Sequence, residues 1–210
     1  MPLVGYLIQK GKCNSCKSNI SIFYPLTEIF FLTIGLIAIN QYGISIFLYF
    51  LIFITYLFYV LFYLDLKNFY LPLSINLLLI LAGFIGNIFF NIFVDDLTYI
   101  FNLNPIQFSS IGFLIGYSSL WLINFVFKAI YKKDGIGGGD FILFGAIGSI
   151  FGPFSLGLIL FLGAITGCTL FLFLNKDFNK EVPLGSCLIL SSIFYFFIKK
   201  YELLNMFIVI

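Results

Sequence analysis

Apolar runs of roughly membrane length recur through this chain, and they constrain its fold more than any other feature. They cover residues 24–40, 43–64, 71–93, 107–130, 154–175 and 184–198, with a shorter one at 141–151. About 20 apolar residues make a helix that crosses the hydrocarbon of a bilayer, where only helices and closed barrels satisfy every backbone group. The expected fold is all-α: a polytopic transmembrane helical bundle of about seven membrane segments. Composition agrees, with 61% hydrophobic residues, 10% charged residues and a mean hydropathy of +1.11 over 210 residues. No soluble domain of that length needs so much apolar surface. Residues 1–23 read as a polar cytoplasmic lead, and residues 24–210 as the membrane domain, with no internal repeat. No cleavable signal peptide is visible, so the first span is expected to insert uncleaved.

Lysine placement sets the orientation, because Lys-rich loops stay in the cytoplasm. Lys10, Lys12 and Lys17 precede the first span, Lys67 follows the second, Lys132 and Lys133 the fourth, and Lys176 and Lys180 the sixth. The loops after spans one, three and five carry none. The alternation holds through six spans. Lys199 and Lys200 break it, which weakens the seventh.

Two aspartates stand where apolar segments meet polar ones. Asp65 lies in Tyr63-Leu64-Asp65-Leu66-Lys67, and Asp140 ends Gly135-Ile136-Gly137-Gly138-Gly139-Asp140. Ionisable residues at the margin of a span are expensive to keep and mark functional sites. The charge pattern puts both at the cytoplasmic side, at the same depth, so folding can bring them together. Two carboxylates that meet form an acid/base pair: one ionised to take a proton from water, one protonated to give a proton to a carbonyl or leaving amine. Such a pair shares one proton and requires no metal and no nucleophilic side chain.

Other chemistries are narrowed by what the chain lacks. With no His, Ser-His and Cys-His pairs and the HExxH zinc motif are excluded; a Ser-Lys pair remains open. A net charge of +2 argues against nucleic acid as a partner. The glycine run lacks the Lys-Ser/Thr that would make it a P-loop. Without Cβ atoms, Gly137, Gly138 and Gly139 admit an extended substrate backbone beside Asp140 and can take positive φ. The simpler alternatives are Asp140 as a helix cap and Asp65 as a solvated loop residue paired with Lys67. Cys168 and Cys187 lie in apolar spans and are expected to pack there. Lys128 reads as a snorkelling side chain. Glu28 reads either as a charge at a positive helix end or as part of a functional region.

These residues resemble the prepilin peptidases, membrane aspartyl proteases of the Gly-x-Gly-Asp class. Leu64-Asp65-Leu66 followed by Leu71-Pro72 is similar to the family's first aspartate segment. Gly116-Tyr117-Ser118-Ser119-Leu120-Trp121, then Asp134 to Phe141, is similar to the second. Lys12-Cys13-Asn14-Ser15-Cys16, Ile20-Ser21 and Tyr24-Pro25-Leu26-Thr27-Glu28 resemble the cytoplasmic region before the next span, and Val182-Pro183-Leu184-Gly185 a segment near the family's C-terminus. The resemblance covers nearly the whole chain in order. It implies Asp65 and Asp140 as the catalytic pair and cleavage of the leader from type IV prepilins or pseudopilins at the cytoplasmic face of the inner membrane. It implies no cofactor for the peptidase, and S-adenosylmethionine only if the family's N-methylating activity is retained.

The chain departs from that pattern at several points. The start reads as shortened relative to the bifunctional members, which carry an earlier span and a second Cys-x-x-Cys. Cys13 and Cys16 supply two ligands where a tetrahedral zinc site takes four. Leu73 and Ile142 replace polar residues common in the family. Two rival readings stand beside the peptidase: a channel or transporter subunit with intramembrane carboxylates, and an inactive homologue.

Overall fold

The computed structural model describes residues 2–14, 16–91, 101–174 and 182–200. Asp95, Asp96, Lys176 and Lys180 lie outside them. Among the described residues the chain is all-α, apart from an isolated antiparallel bridge between Lys12 and Asn19. Four helices are long and apolar enough to cross a membrane, and three shorter apolar helices accompany them. The chain is a multi-pass membrane protein, as the apolar runs require.

It divides into two compact units, residues 1–53 and 54–210. In the first, α1 (Pro2–Ile8) packs on α2 (Phe23–Tyr42). Gly43, at φ 63°, closes α2 by donating its N–H to Ile39 O at 2.9 Å. Glu28 is the sixth residue of α2, beyond its first turn. The helix-end effect fades over that distance, so the dipole account of this residue fails.

The second unit takes up α3 (Ile46–Asn68) from Ile54 onward, followed by α4 (Leu73–Phe90), α5 (Pro105–Tyr131), α6 (Gly138–Phe151), α7 (Leu156–Leu174) and α8 (Leu184–Lys200). Helix boundaries follow local chemistry. Pro72 is extended and forces α4 to begin after it. Asn104 and Gln107 form a capping box and Pro105 takes the first helical position, so α5 begins two residues earlier than hydropathy indicates. Lys132, in the left-handed conformation, closes it.

Helix α6 is the centre of this unit. It is only 14 residues long, yet every residue from Phe141 to Phe151 except Ile142 is buried. Helices α4, α5, α7 and α8 all pack on it. Contact with α5 depends on glycine. A Cβ on Gly112 would collide with the Gly148 carbonyl, and one on Gly116 would stand 2.5 Å from Phe144 O. Small residues let backbones approach in a membrane, where lipid tails supply no hydrophobic drive. Buried Asn87 adds polar glue: its Nδ2 donates to Ser109 Oγ at 2.9 Å and to the carbonyls of Ser149 and Ile150, both at 3.0 Å.

Candidate active site

Asp65 lies in the last turn of α3. The N–H of Phe69, a residue at φ 51°, bonds to the Asp65 carbonyl at 2.9 Å and closes the helix. The side chain is only 4% exposed. Its Oδ2 accepts two hydrogen bonds from one residue in the first turn of α8: from Ser186 N–H at 2.5 Å and Ser186 Oγ at 2.7 Å. Asp65 is therefore neither a loop residue nor the partner of Lys67, whose Nζ sits 5.7 Å from the Tyr63 ring centroid. Ser186 was not identifiable from sequence, since a serine in an apolar helix most often bonds the preceding turn.

Asp140 lies in the first turn of α6. Gly137 is the N-cap residue and its carbonyl accepts the Asp140 N–H at 3.1 Å, so Asp140 does not cap the helix itself. Gly138 and Gly139 are helical. Positive φ among the described glycines is confined to Gly11, Gly43 and Gly152, so the run makes no left-handed turn. A Cβ at Gly138 meets nothing within 4 Å, whereas one at Gly139 would stand 2.9 Å from Leu71 Cβ. Asn76, fully buried in α4, reaches the Gly139 carbonyl with its Nδ2 at 3.5 Å. Asn76 Oδ1 and Asp140 Oδ1 are both buried and accept no hydrogen bond among the described residues.

The two aspartates converge on Leu71 and Gly185. A Cβ added to Gly185 would stand 2.8 Å from Leu71 Cδ1 and 3.1 Å from both Cγ and Oδ2 of Asp65. Gly139, the residue before Asp140, abuts the same Leu71, and the Gly185 backbone lies within reach of the Asp140 carboxyl. Three elements thus build one site: the end of α3, the head of α6 and the head of α8. Chemically it is a carboxylate pair in a largely apolar setting, with an open position at Gly138.

Residues 132–137, which lead into α6, are tethered to α5. Asn124 Oδ1 accepts the N–H groups of Gly135 at 2.9 Å and Ile136 at 3.0 Å, while its Nδ2 donates to Asp134 Oδ1 at 3.1 Å. Lys128 Nζ pairs with Asp134 Oδ2 at 2.9 Å, so this lysine holds a partner rather than simply reaching for the interface. The Lys128 and Asn124 hydrogen bonds keep the Asp134 carboxyl below the usual carboxylate range. The Asp134 share of this tether is complete above the ordinary carboxylate pKa and is lost as pH falls through the lowered one, while the two amide bonds to Asn124 remain. Asn124→Ala removes the shared acceptor of two part-buried amide bonds and is expected to lower stability by about 1 kcal/mol, read as a drop in the thermal midpoint in detergent. Lys128→Met should shift the midpoint much less, because its ion pair is exposed.

Cys13 and Cys16 lie on a turn in which Cys13 N–H bonds Ser18 O at 2.9 Å and Lys17 N–H bonds Cys13 O at 2.8 Å. Hydrogen bonding by Ser18, whose Oγ is 3.0 Å from Cys16 Sγ, and then by Cys13, lowers the Cys16 thiol to about 7. Alkylation of Cys16 by iodoacetamide, followed by mass spectrometry, should be half-maximal near pH 7. A midpoint above pH 8.5, the ordinary thiol range of about 8–9, would contradict it. No group of three or more His, Cys, Asp or Glu that could hold a metal ion occurs among the described residues. The two thiols by themselves are half of a tetrahedral set. Of the other cysteines, Cys187 is buried, but Cys168 is exposed on α7, so packing accounts for only one of them.

Comparison with known proteins covers most of the chain. A family model described as the type IV leader peptidase family matches residues 51–172. Another, the bacterial peptidase A24 N-terminal domain, matches residues 1–42. A prepilin leader peptidase/N-methyltransferase of Neisseria gonorrhoeae is 34% identical over 200 residues, covering 91% of this chain and 63% of that protein. Proteins of the same description from Dichelobacter nodosus and Legionella pneumophila are 30% and 32% identical, covering 91% and 94% of this chain and 63% and 66% of theirs. The chain thus spans a little under two thirds of the length of these relatives. No solved structure matches.

Proposed function

Because this chain belongs to the type IV leader peptidase family, we propose that it is a membrane aspartic endopeptidase that removes leaders from type IV prepilins or pseudopilins. The observation that carries this reading is the convergence of Asp65, from α3, with Asp140, from α6, around Gly185. One carboxylate takes a proton from water as the water oxygen attacks the scissile carbonyl. The other protonates the carbonyl oxygen, and collapse of the tetrahedral adduct leaves the new carboxyl on the leader and expels the N-terminal amine of the pilin as that amine is protonated. The unpaired Asp140 Oδ1 is available to water or to a substrate amide. Gly137, Gly138 and Gly139 supply the side-chain-free approach on which an extended substrate segment lies.

The Lys pattern supports a site on the cytoplasmic face of the inner membrane, with residues 1–23 a cytoplasmic lead and 24–210 the peptidase domain. The peptidase step uses no cofactor. S-adenosylmethionine enters only if N-methylation follows cleavage, and zinc only if further ligands join Cys13 and Cys16. The test is to reconstitute the chain in liposomes with a recombinant type IV prepilin and sequence the N-terminus of the product. A mature pilin cut after the Gly that follows the basic leader is expected. Absence of that product, with Asp65-dependent cation flux across the same vesicles, would replace the peptidase by a channel.

A further inference from the structure

We propose that Ser186 is a positioning residue of this site: its two hydrogen bonds fix the Asp65 carboxylate in the orientation that the reaction uses. This rests on the reading of Asp65 as one member of the working pair and adds a residue to it. The last torsion of an aspartate is soft and broadly populated, so a carboxylate at the end of α3 does not orient itself. Ser186 removes that freedom by placing both of its donors, N–H at 2.5 Å and Oγ at 2.7 Å, on the same oxygen, Oδ2.

The donors are themselves held. Ser186 is fully buried, and it is the third residue of a 17-residue helix, so its N–H is one of those left unpaired by helix geometry. Gly185 leaves room for the carboxylate to reach that helix end, since a Cβ there would stand 3.1 Å from Asp65 Cγ. The Oγ has one alternative acceptor, Phe62 O at 3.4 Å, which keeps it over α3 rather than turned away. With Oδ2 occupied twice, the remaining oxygen of Asp65 is the one left for water and substrate.

A misplacement of about 1 Å in a reacting group can lower a rate by about 100-fold. The variant Ser186→Ala keeps the N–H bond and loses the hydroxyl. With a recombinant prepilin as substrate and the full chain in detergent, it is expected to lower kcat by about 10-fold to 100-fold, with KM and thermal midpoint nearly unchanged. Ser186→Thr, which restores a hydroxyl, should recover most of the lost kcat. Wild-type kcat in Ser186→Ala, a change confined to KM, or no recovery in Ser186→Thr would each overturn the proposal. The control is Asp65→Asn. If that variant processes prepilin at the wild-type rate, the reading of Asp65 fails. If it is inactive while Ser186→Ala is unimpaired, only the role of Ser186 fails.

Discussion

Asp140→Asn and Asp65→Asn are each expected to lower the rate of prepilin processing by about 1,000-fold or more, within the 10²–10⁴ range of a general acid or base. The change is nearly isosteric, so the site keeps its shape and loses its proton chemistry. Asn at 65 still offers an oxygen to the N–H and hydroxyl of Ser186, and Asn at 140 still fits beside the Gly137 backbone. The expected signature is therefore loss of kcat with KM and thermal midpoint close to wild type. The double variant should be no slower than the slower single one, because a pair that acts as a unit is lost once. Initial rates of leader release in proteoliposomes, measured by gel shift, decide the matter. Either single variant running at even a tenth of the wild-type rate would remove that residue from the chemistry.

The second large effect is on stability. Gly112→Ala is expected to destabilise the protein by about 3 kcal/mol, at the upper end of the cost of overpacking. The new methyl would fall on the Gly148 carbonyl. Both partners are backbone, so neither can yield by changing rotamer, and α5 and α6 must separate. That separation moves the helix whose first turn holds Asp140, so activity falls along with stability. Gly157→Ala is the control: nothing lies within 4 Å of its added Cβ, and alanine is the better helix former. Its thermal midpoint in detergent should equal or exceed the wild-type value. Equal midpoints for Gly112→Ala and wild type would show that the two helices are not in backbone contact.

The apolar runs and the two aspartates were legible in the sequence because both signals are local. Hydropathy over 20 residues reveals a span, and a carboxylate beside hydrocarbon is conspicuous. The polar supports of the site were not legible. Ser186 meets Asp65 across 121 positions, and nothing near either residue encodes that meeting. Asn76 and Asn124 resemble any amide in a membrane helix, until the structure places one on the Gly139 carbonyl and the other on the amides of Gly135 and Ile136. From sequence Lys128 reads as a snorkelling side chain, because its acidic partner sits beyond the helix end, six positions away. A glycine run can take positive φ, but here Gly137 is extended and Gly138 and Gly139 begin a helix.

The attachment of Asp65 to the head of α8 has a consequence for biosynthesis. A ribosome that has delivered α3 through α6 has already made both acidic side chains, but not the serine that steadies the first of them. The hydrogen bonds to Asp65 form only once α8 has been made. Chains stopped before that point would carry both aspartates in the membrane without the two hydrogen bonds that Ser186 gives to Asp65.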